Sequence, residues 1–518
     1  MRRPAVVSAV LFVAVTAAAL GFVGPIAFGD PVEAQQGDEE ADWREYDADD
    51  EFEIDEADGL NDEELEAVVS RAMVRVEEIR GIEFEERPPV TVITRSEFQE
   101  EYAGFGAEPT EEAAAFENAK YRALFLAGED VNAAEARAEN QGTSVMGFYE
   151  PSTGEIVLVA EGDQPRMNET ILAHELYHAY QDERWGLANY DAATQDGRNA
   201  ELGLIEGDAV YVETLYDRRC GEEWECLSPP GDGTEPGEAD RPDRPANVGI
   251  LLLDFQPYDD GPVFVESIHE NEGWKGVDAL YDVPPETAEQ VISSGAYPDD
   301  DPREVGLDDD HGEAWERIEP DGRPDHDRLG MAAITTMFVH PLYEGDGEPV
   351  VAADDWFTTD PDEESPPYGA LNYESEYATG WEGDRFHAYQ HEDGATGYVW
   401  RIAWESPEDA ERFLEGFDAL IAYWGGERTA SDTYAIEEGG YRGAYHVASE
   451  DDVVTVTHAP TVDALPEVYA DAEPDSGDPV PEETDGEGEE GPTDELPGFG
   501  IAVAVVALLA ATYLVARR

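Results

Sequence analysis

Two histidines four residues apart, His174 and His178, are the residues of this chain best suited to metal chemistry. They lie in the sequence His-Glu-Leu-Tyr-His. If this segment is helical, the spacing places both imidazoles on one side, within reach of one tetrahedral zinc ion. Glu175, directly after the first histidine, could then act as general base on a zinc-activated water. The motif therefore predicts a zinc centre with Zn²⁺ as the cofactor.

A second acidic segment, residues 205–213, could supply the third ligand and leave the fourth position open for catalysis. Glu206 is the preferred ligand because it lies in a Glu-Gly-Asp-Ala context, whereas Glu201 lies earlier and Glu213 two turns later. Asp208 or Glu213 could instead orient a ligand histidine. In so acidic a chain, each of these carboxylates could equally be a solvated surface group.

The sequence around the motif predicts the elements that would position it. Asn168 is a suitable N-cap for a helix that runs to about residue 183. Residues 145–159 read as a β-hairpin, because two apolar runs flank a Pro-Ser-Thr-Gly turn. A further helix is predicted over residues 261–280.

The two segments together resemble the gluzincin group of metallopeptidases, the thermolysin-like clan. In that group the two motif histidines and a glutamate on a later helix bind zinc, and the motif glutamate is the general base. The resemblance therefore implies zinc ligation by His174, His178 and Glu206, with Glu175 as base.

The second segment is similar to the Asn-Glu-Gly-Phe-Ala-x-Tyr-x-Glu helix of the clan's aminopeptidases, but Ile205 and Asp208 replace the asparagine and phenylalanine. No Gly-x-Met-Glu-Asn segment is present, so aminopeptidase specificity is not supported. The resemblance also implies that the strand ending near Val159 pairs with an extended substrate at a sheet edge.

The clan normally uses a tyrosine or histidine as transition-state donor. Tyr149, Tyr211 and His269 are candidates for this role, and each could equally be a core or surface residue.

The charge of the chain is extreme, with 123 acidic residues against 30 Lys and Arg and a formal net charge of −93. Hydrophobic residues still make up 41%, which is too much apolar material for a disordered acidic chain. Acid spread over a folded surface keeps that surface hydrated in concentrated salt, which indicates a halophilic archaeal source. Nucleic acid is excluded as a partner because no basic patch exists to neutralise phosphates.

The N-terminus is typical of an exported protein. Two arginines precede an apolar run over residues 5–23 and a small-residue site ends at Ala34, so we expect a signal peptide over residues 1–34, with a permanent membrane helix as the alternative. Because an exported chain meets oxidising conditions, Cys220 and Cys226 are expected to form a short-loop disulfide.

The C-terminus carries a second targeting pattern. An acidic low-complexity stalk, residues 466–496, is followed by Pro497, Gly498 and Phe499, an apolar run and two final arginines. This end could be a membrane helix with a basic cytoplasmic stop. It also resembles the PGF-CTERM sorting signal of haloarchaeal surface proteins, which implies cleavage by an archaeosortase and attachment of a lipid. Either arrangement holds the protein on the outer face of the cell membrane.

The predicted fold class is α+β. We expect an acidic N-terminal segment over residues 35–60 and a mostly helical, zincin-like metallopeptidase domain over residues 61–298 with an antiparallel edge hairpin. An acidic linker, 299–320, then leads to a smaller α+β domain, 321–465.

The function expected from the sequence is that of a cell-surface zinc metallopeptidase acting on peptide or protein substrates. The alternative is a non-catalytic haloarchaeal surface or envelope protein that retains a zinc-binding, metallopeptidase-like fold.

Overall fold

A computed structural model of the chain describes residues 43–54, 60–101, 109–160, 168–227, 245–293, 295–320, 323–345, 347–359 and 366–474. The predicted signal peptide, most of the acidic stalk and the predicted sorting signal lie outside the described residues.

The described residues form a mixed α+β fold. Its α-helices are α1 Asp62–Arg80, α2 Arg95–Glu101, α3 Glu111–Ala123, α4 Ala133–Ser144, α5 Glu169–Trp185, α6 Gln195–Asp217, α7 Val248–Glu272, α8 Trp274–Leu280, α9 Ala288–Ile292, α10 Gly330–Val339, α11 Pro341–Glu344, α12 Ala353–Trp356, α13 Pro407–Tyr423 and α14 Leu465–Val468. Its strands are β1 Val90–Thr94, β2 Gly147–Glu150, β3 Glu155–Ala160, β4 Trp315–Arg317, β5 Trp381–His391, β6 Thr396–Trp404, β7 Glu427–Ala430, β8 Thr433–Ile436, β9 Gly443–Glu450 and β10 Val453–Ala459. Within these ranges no helix combines the length and apolar character that crossing a membrane requires.

A three-stranded sheet with the order β1-β3-β2 lies beside the His-Glu-Leu-Tyr-His helix. β2 and β3 form the predicted antiparallel hairpin, with Gly147 opposite Leu158. β1 runs parallel to β3 on its other side, with Val90 opposite Ile156. Because β3 is paired on both sides, the expectation that the strand ending near Val159 offers a free edge is wrong. Among the described strands, the free edge nearest the helix belongs to β2.

Local capping explains the ends of the two helices that carry the motif residues. Asn168 caps α5 by accepting a hydrogen bond from the Thr170 backbone N–H, and Gly186 ends the helix in a left-handed conformation with φ 71°. Thr194 caps α6 by accepting from the Gly197 N–H. Each helix is therefore bounded by residues whose side chain or conformation satisfies its end groups.

The helix predicted over residues 261–280 begins too late and is interrupted in the structure, although its predicted end coincides with the end of α8. α7 begins at Val248, passes through Pro257 and Pro262, and ends at Glu272, where Gly273 separates it from α8. The carbonyl of Leu253, which would have bonded to the missing N–H of Pro257, accepts instead from Asn199 Nδ2 at 3.0 Å. A side chain of α6 thus replaces the lost backbone bond.

The second sheet has seven antiparallel strands in the order β4-β5-β6-β10-β9-β8-β7. The helix α13 packs on it, capped at its start by Ser406, which accepts from the Asp409 N–H. Helix α3 also packs against this sheet, in the same hydrophobic core. There the ring of Phe116 lies edge-on to the ring of Phe386, with 5.9 Å between the ring centroids. Trp315–Arg317, from the predicted acidic linker, forms the edge strand β4. The domain limits drawn from the sequence stay a prediction.

Candidate metal centre

Helices α5 and α6 bring His174, His178 and Glu206 together. The Nε2 atoms of the two histidines lie 2.9 Å apart, and each lies 3.3 Å from Glu206 Oε2. All three side chains are buried. Among the described residues they are the one group of three His, Cys, Asp or Glu side chains whose ligand atoms converge closely enough to hold a metal ion.

The hydrogen bonds behind the histidines set their tautomers. His174 Nδ1 lies 3.1 Å from Glu213 Oε2 and His178 Nδ1 lies 2.6 Å from Gln181 Oε1. Both partner atoms are acceptors, so each Nδ1 carries the hydrogen and donates it. In the neutral form each Nε2 then presents a lone pair towards Glu206.

The donor set fits a zinc ion. Tetrahedral ligands at ordinary Zn–N and Zn–O distances are separated by about 3.3 Å, close to the three separations seen here. With both imidazoles neutral, the three facing atoms are all acceptors, an arrangement that a cation between them would stabilise.

The electrostatics of the cluster also favour positive charge. Burial lowers the pKa of His174, but hydrogen bonds to Glu206 and Glu213 outweigh it and raise the pKa to about 10. Burial raises the pKa of Glu206, but His178 and His174 outweigh it and lower the pKa to about 2. The carboxylates that hold a proton on His174 would attract a metal dication in the same way.

Glu175 lies beside this cluster with a different environment. Neither of its carboxylate oxygens has a hydrogen-bond partner within the described part of the chain, although both are buried. Burial raises the pKa of the Glu175 carboxyl to about 7. A Cβ atom placed on Gly147 of β2 would lie 3.2 Å from Glu175 Oε1, so the edge strand approaches this carboxyl closely.

Asp208 and Glu213, the two acidic residues that could orient a ligand histidine, have different partners in the structure. Glu213 contacts ligand histidine His174 directly. Asp208 contacts neither histidine in the hydrogen bonds observed, since its Oδ2 accepts from Tyr177 at 2.6 Å and Tyr281 at 3.0 Å. The direct partner of His178 is Gln181, which the sequence analysis missed. Its position three residues after His178 on the same helix was the available signal.

The remaining candidates have other partners. Glu201 accepts from the Ala192 N–H at 2.8 Å and so ties down the loop before α6. Tyr149 donates to Asp182 at 2.9 Å. Tyr211 and His269 lie together, with the hydroxyl 3.0 Å from Nδ1. These contacts assign no transition-state donor.

Cys220 and Cys226 are joined in a disulfide just after α6. The loop they close is tied to the start of α5, because the Leu227 N–H donates to Glu169 Oε2 at 2.8 Å. The same carboxylate is paired with Arg75 at 2.7 Å. The disulfide loop therefore links the end of one motif helix to the beginning of the other.

Comparison with known proteins identifies the C-terminus. Residues 496–518 match the PGF-CTERM motif, which includes Pro497, Gly498 and Phe499. The match shows an exported archaeal protein anchored at the cell surface, and it is consistent with processing by an archaeosortase.

The second match covers the seven-stranded sheet. Residues 316–469 match a domain of unknown function (DUF8575). No curated protein and no solved structure matches the chain. Neither match includes α5 or α6, so the metal centre has to be interpreted from its own geometry.

Proposed function

We propose that this surface protein is a zinc metallopeptidase of the gluzincin type that hydrolyses peptide bonds in polypeptides outside the cell. The observation that carries the proposal is the convergence of His174, His178 and Glu206 beside a buried glutamate, Glu175, whose oxygens have no hydrogen-bond partner among the residues that the structure describes.

The proposed site has three metal ligands and one residue that transfers a proton. His174, His178 and Glu206 would hold the zinc, and zinc when bound lowers the pKa of a water molecule to about 7. Glu175 would accept a proton from such a water, since its buried carboxylate has no hydrogen-bond partner among the described residues. As the water oxygen bonds to the carbonyl carbon of the scissile amide and the C–N bond breaks, Glu175 would pass the proton to the amide nitrogen, which leaves as an amine while the carbonyl side becomes a carboxylic acid.

The surroundings of the site support a zincin-like arrangement. The edge strand β2 lies against Glu175 at Gly147, and an extended polypeptide could add to this edge as a further strand. We assign the peptidase to residues 61–298 and treat 321–465 as a second domain. A peptidase held at the cell surface by this anchor would meet envelope proteins and incoming polypeptides.

One observation favours a second function, that of a non-catalytic surface protein with a zinc-stabilised fold. Glu175, His178 and Glu206 are 0% exposed and His174 is 1% exposed. A substrate reaches these side chains only if neighbouring segments move apart, whereas a structural metal ion needs no such access.

The two functions are separated by hydrolysis of a casein-like substrate in molar salt. We expect the purified chain to cleave it, to stop when a chelator removes the metal, and to lose cleavage on Glu175→Gln while retaining zinc. Glu183→Gln, at an exposed position on the same helix, is the matched control and should remain active. Zinc binding with no effect of Glu175→Gln would rule out the peptidase, and absence of zinc binding would rule out both functions.

A further inference from the structure

Gln181 makes three hydrogen bonds that join the two helices of the metal centre. Its Oε1 lies 2.6 Å from His178 Nδ1. Its Nε2 donates to the backbone carbonyl of Ile205 at 2.9 Å and to the hydroxyl of Tyr281 at 2.7 Å. The side chain is completely buried. Because Ile205 directly precedes Glu206, one amide contacts both a ligand histidine and the turn that carries the carboxylate ligand.

The orientation of this amide is determined by its neighbours. Asp208 Oδ2, as a carboxylate oxygen, only accepts, so Tyr281 must donate to it across their 3.0 Å contact. The Tyr281 oxygen is then free to accept from Gln181, which turns the amide NH₂ towards Tyr281 and its carbonyl oxygen towards His178. Tyr177 also donates to Asp208, and Arg80 Nε donates to the Tyr177 hydroxyl at 2.7 Å.

We propose that Gln181 is a positioning residue that sets the tautomer of His178 and at the same time holds Glu206 at ligand distance. This inference rests on the metal centre of the proposed function and adds a residue outside the ligand set. It also gives Asp208 a role three hydrogen bonds away from His178, through Tyr281 and Gln181.

Only a carboxamide can fill the position. A carboxylate of the same shape could accept from His178 Nδ1, but it would place a second acceptor against the Ile205 carbonyl and the two would repel. An apolar side chain of similar size would leave the His178 Nδ1–H without its acceptor and would remove the bond from the amide NH₂ to the Ile205 carbonyl. Gln181→Glu and Gln181→Leu should therefore both misplace the ligands, for different reasons.

The test is competition for Zn²⁺ against a chromophoric chelator, together with the visible absorption of the Co²⁺-loaded protein. We expect Gln181→Glu and Gln181→Leu each to weaken Zn²⁺ affinity at least tenfold and to change the Co²⁺ spectrum. Tyr281→Phe, which keeps the ring but removes the hydroxyl, should give a smaller loss in the same direction.

Gln290→Glu is the matched control. Gln290 is likewise buried, and its amide likewise donates to a backbone carbonyl, that of Asp300 at 2.8 Å, while it accepts from the Glu286 N–H at 2.7 Å; it lies outside the metal centre. Its substitution should leave the Co²⁺ spectrum of the folded protein unchanged.

Wild-type affinity for Gln181→Glu would overturn the inference, because it would show that the amide donors are not needed. Failure of the wild-type chain to bind Zn²⁺ would overturn both the inference and the proposed function. Tight Zn²⁺ binding without cleavage of casein would overturn the peptidase alone, since the affinity measurement does not depend on turnover.

Discussion

Replacing Gly207 with alanine should disturb the metal centre through the backbone. Gly207 directly follows Glu206 on α6 and faces Gly261 of α7. A Cβ atom at Gly207 would lie 2.4 Å from the carbonyl carbon of Gly261 and 2.5 Å from its oxygen. Because the opposing atoms belong to the backbone, no rotamer change relieves the contact and the two helices must separate.

The size of the effect follows from two opposing terms. Carbon atoms in good contact are about 3.5–4.0 Å apart, so the added methyl is more than 1 Å too close. Overpacking of this kind costs about 1–3 kcal/mol. Alanine gains about 0.8–1.0 kcal/mol over glycine in a helix interior, which offsets only part of that cost. We therefore expect a net loss in the free energy of unfolding of up to about 2 kcal/mol.

The assay combines denaturant unfolding in molar salt with a Zn²⁺ titration, and Gly142→Ala is its control. Gly142 also lies in a helix, but a Cβ there would meet nothing within 4 Å. Gly142→Ala should raise stability by up to about 1 kcal/mol and leave Zn²⁺ affinity unchanged. If Gly207→Ala behaved like Gly142→Ala, the close approach of α6 and α7 at Glu206 would be refuted.

Three further predictions concern single side chains. Glu213→Gln keeps an acceptor for His174 but removes the charge, so Zn²⁺ affinity in a chelator competition should fall about tenfold, and an unchanged affinity would contradict the contact. Burial lowers the pKa of His458 to about 3. Its stabilising contribution is therefore present above pH 6.5 and lost as pH falls, by about 2 kcal/mol at pH 5, and His458→Phe should reduce the acid sensitivity of the unfolding midpoint. The carboxylate of Asp384 accepts from two backbone N–H groups and two indoles. Asp384→Asn would turn an NH₂ group towards two of these donors and should cost at least about 2 kcal/mol by denaturant unfolding, whereas wild-type stability would argue against the network.

Local signals in the sequence predicted much of the fold. The helix expected after Asn168 is α5, because its N-cap signal is encoded within a few residues. The passage of α7 through Pro257 could not be predicted in this way. It depends on Asn199, a distant residue that supplies the hydrogen bond which proline cannot make.

The pairing of strands that are distant in the sequence also could not be predicted. The hairpin of β2 and β3 is local, but the parallel pairing of β1 with β3 joins Val90 to Ile156 across several helices. The pattern of apolar residues in β1 and in β3 does not indicate that these two strands pair with each other. The consequence was an incorrect expectation about which strand of the hairpin is an edge.

At the candidate site, helical spacing nominated His174 and His178, and the Glu-Gly-Asp-Ala context nominated Glu206; the structure brings these three residues together. Spacing could not decide between Asp208 and Glu213 as partners of the histidines, because that choice depends on how far α6 is rotated against α5. Gln181 was overlooked because a single glutamine on a helix has no chemistry of its own until its neighbours are known.

The most direct test of the metal centre is metal analysis combined with zinc X-ray absorption of the purified chain. We predict one zinc per chain, bound by two imidazole nitrogens and at least one carboxylate oxygen without sulfur, and loss of that signal in His174→Ala and in Glu206→Ala. A chain without stoichiometric zinc, or one whose zinc signal survives both substitutions, would contradict the proposed centre.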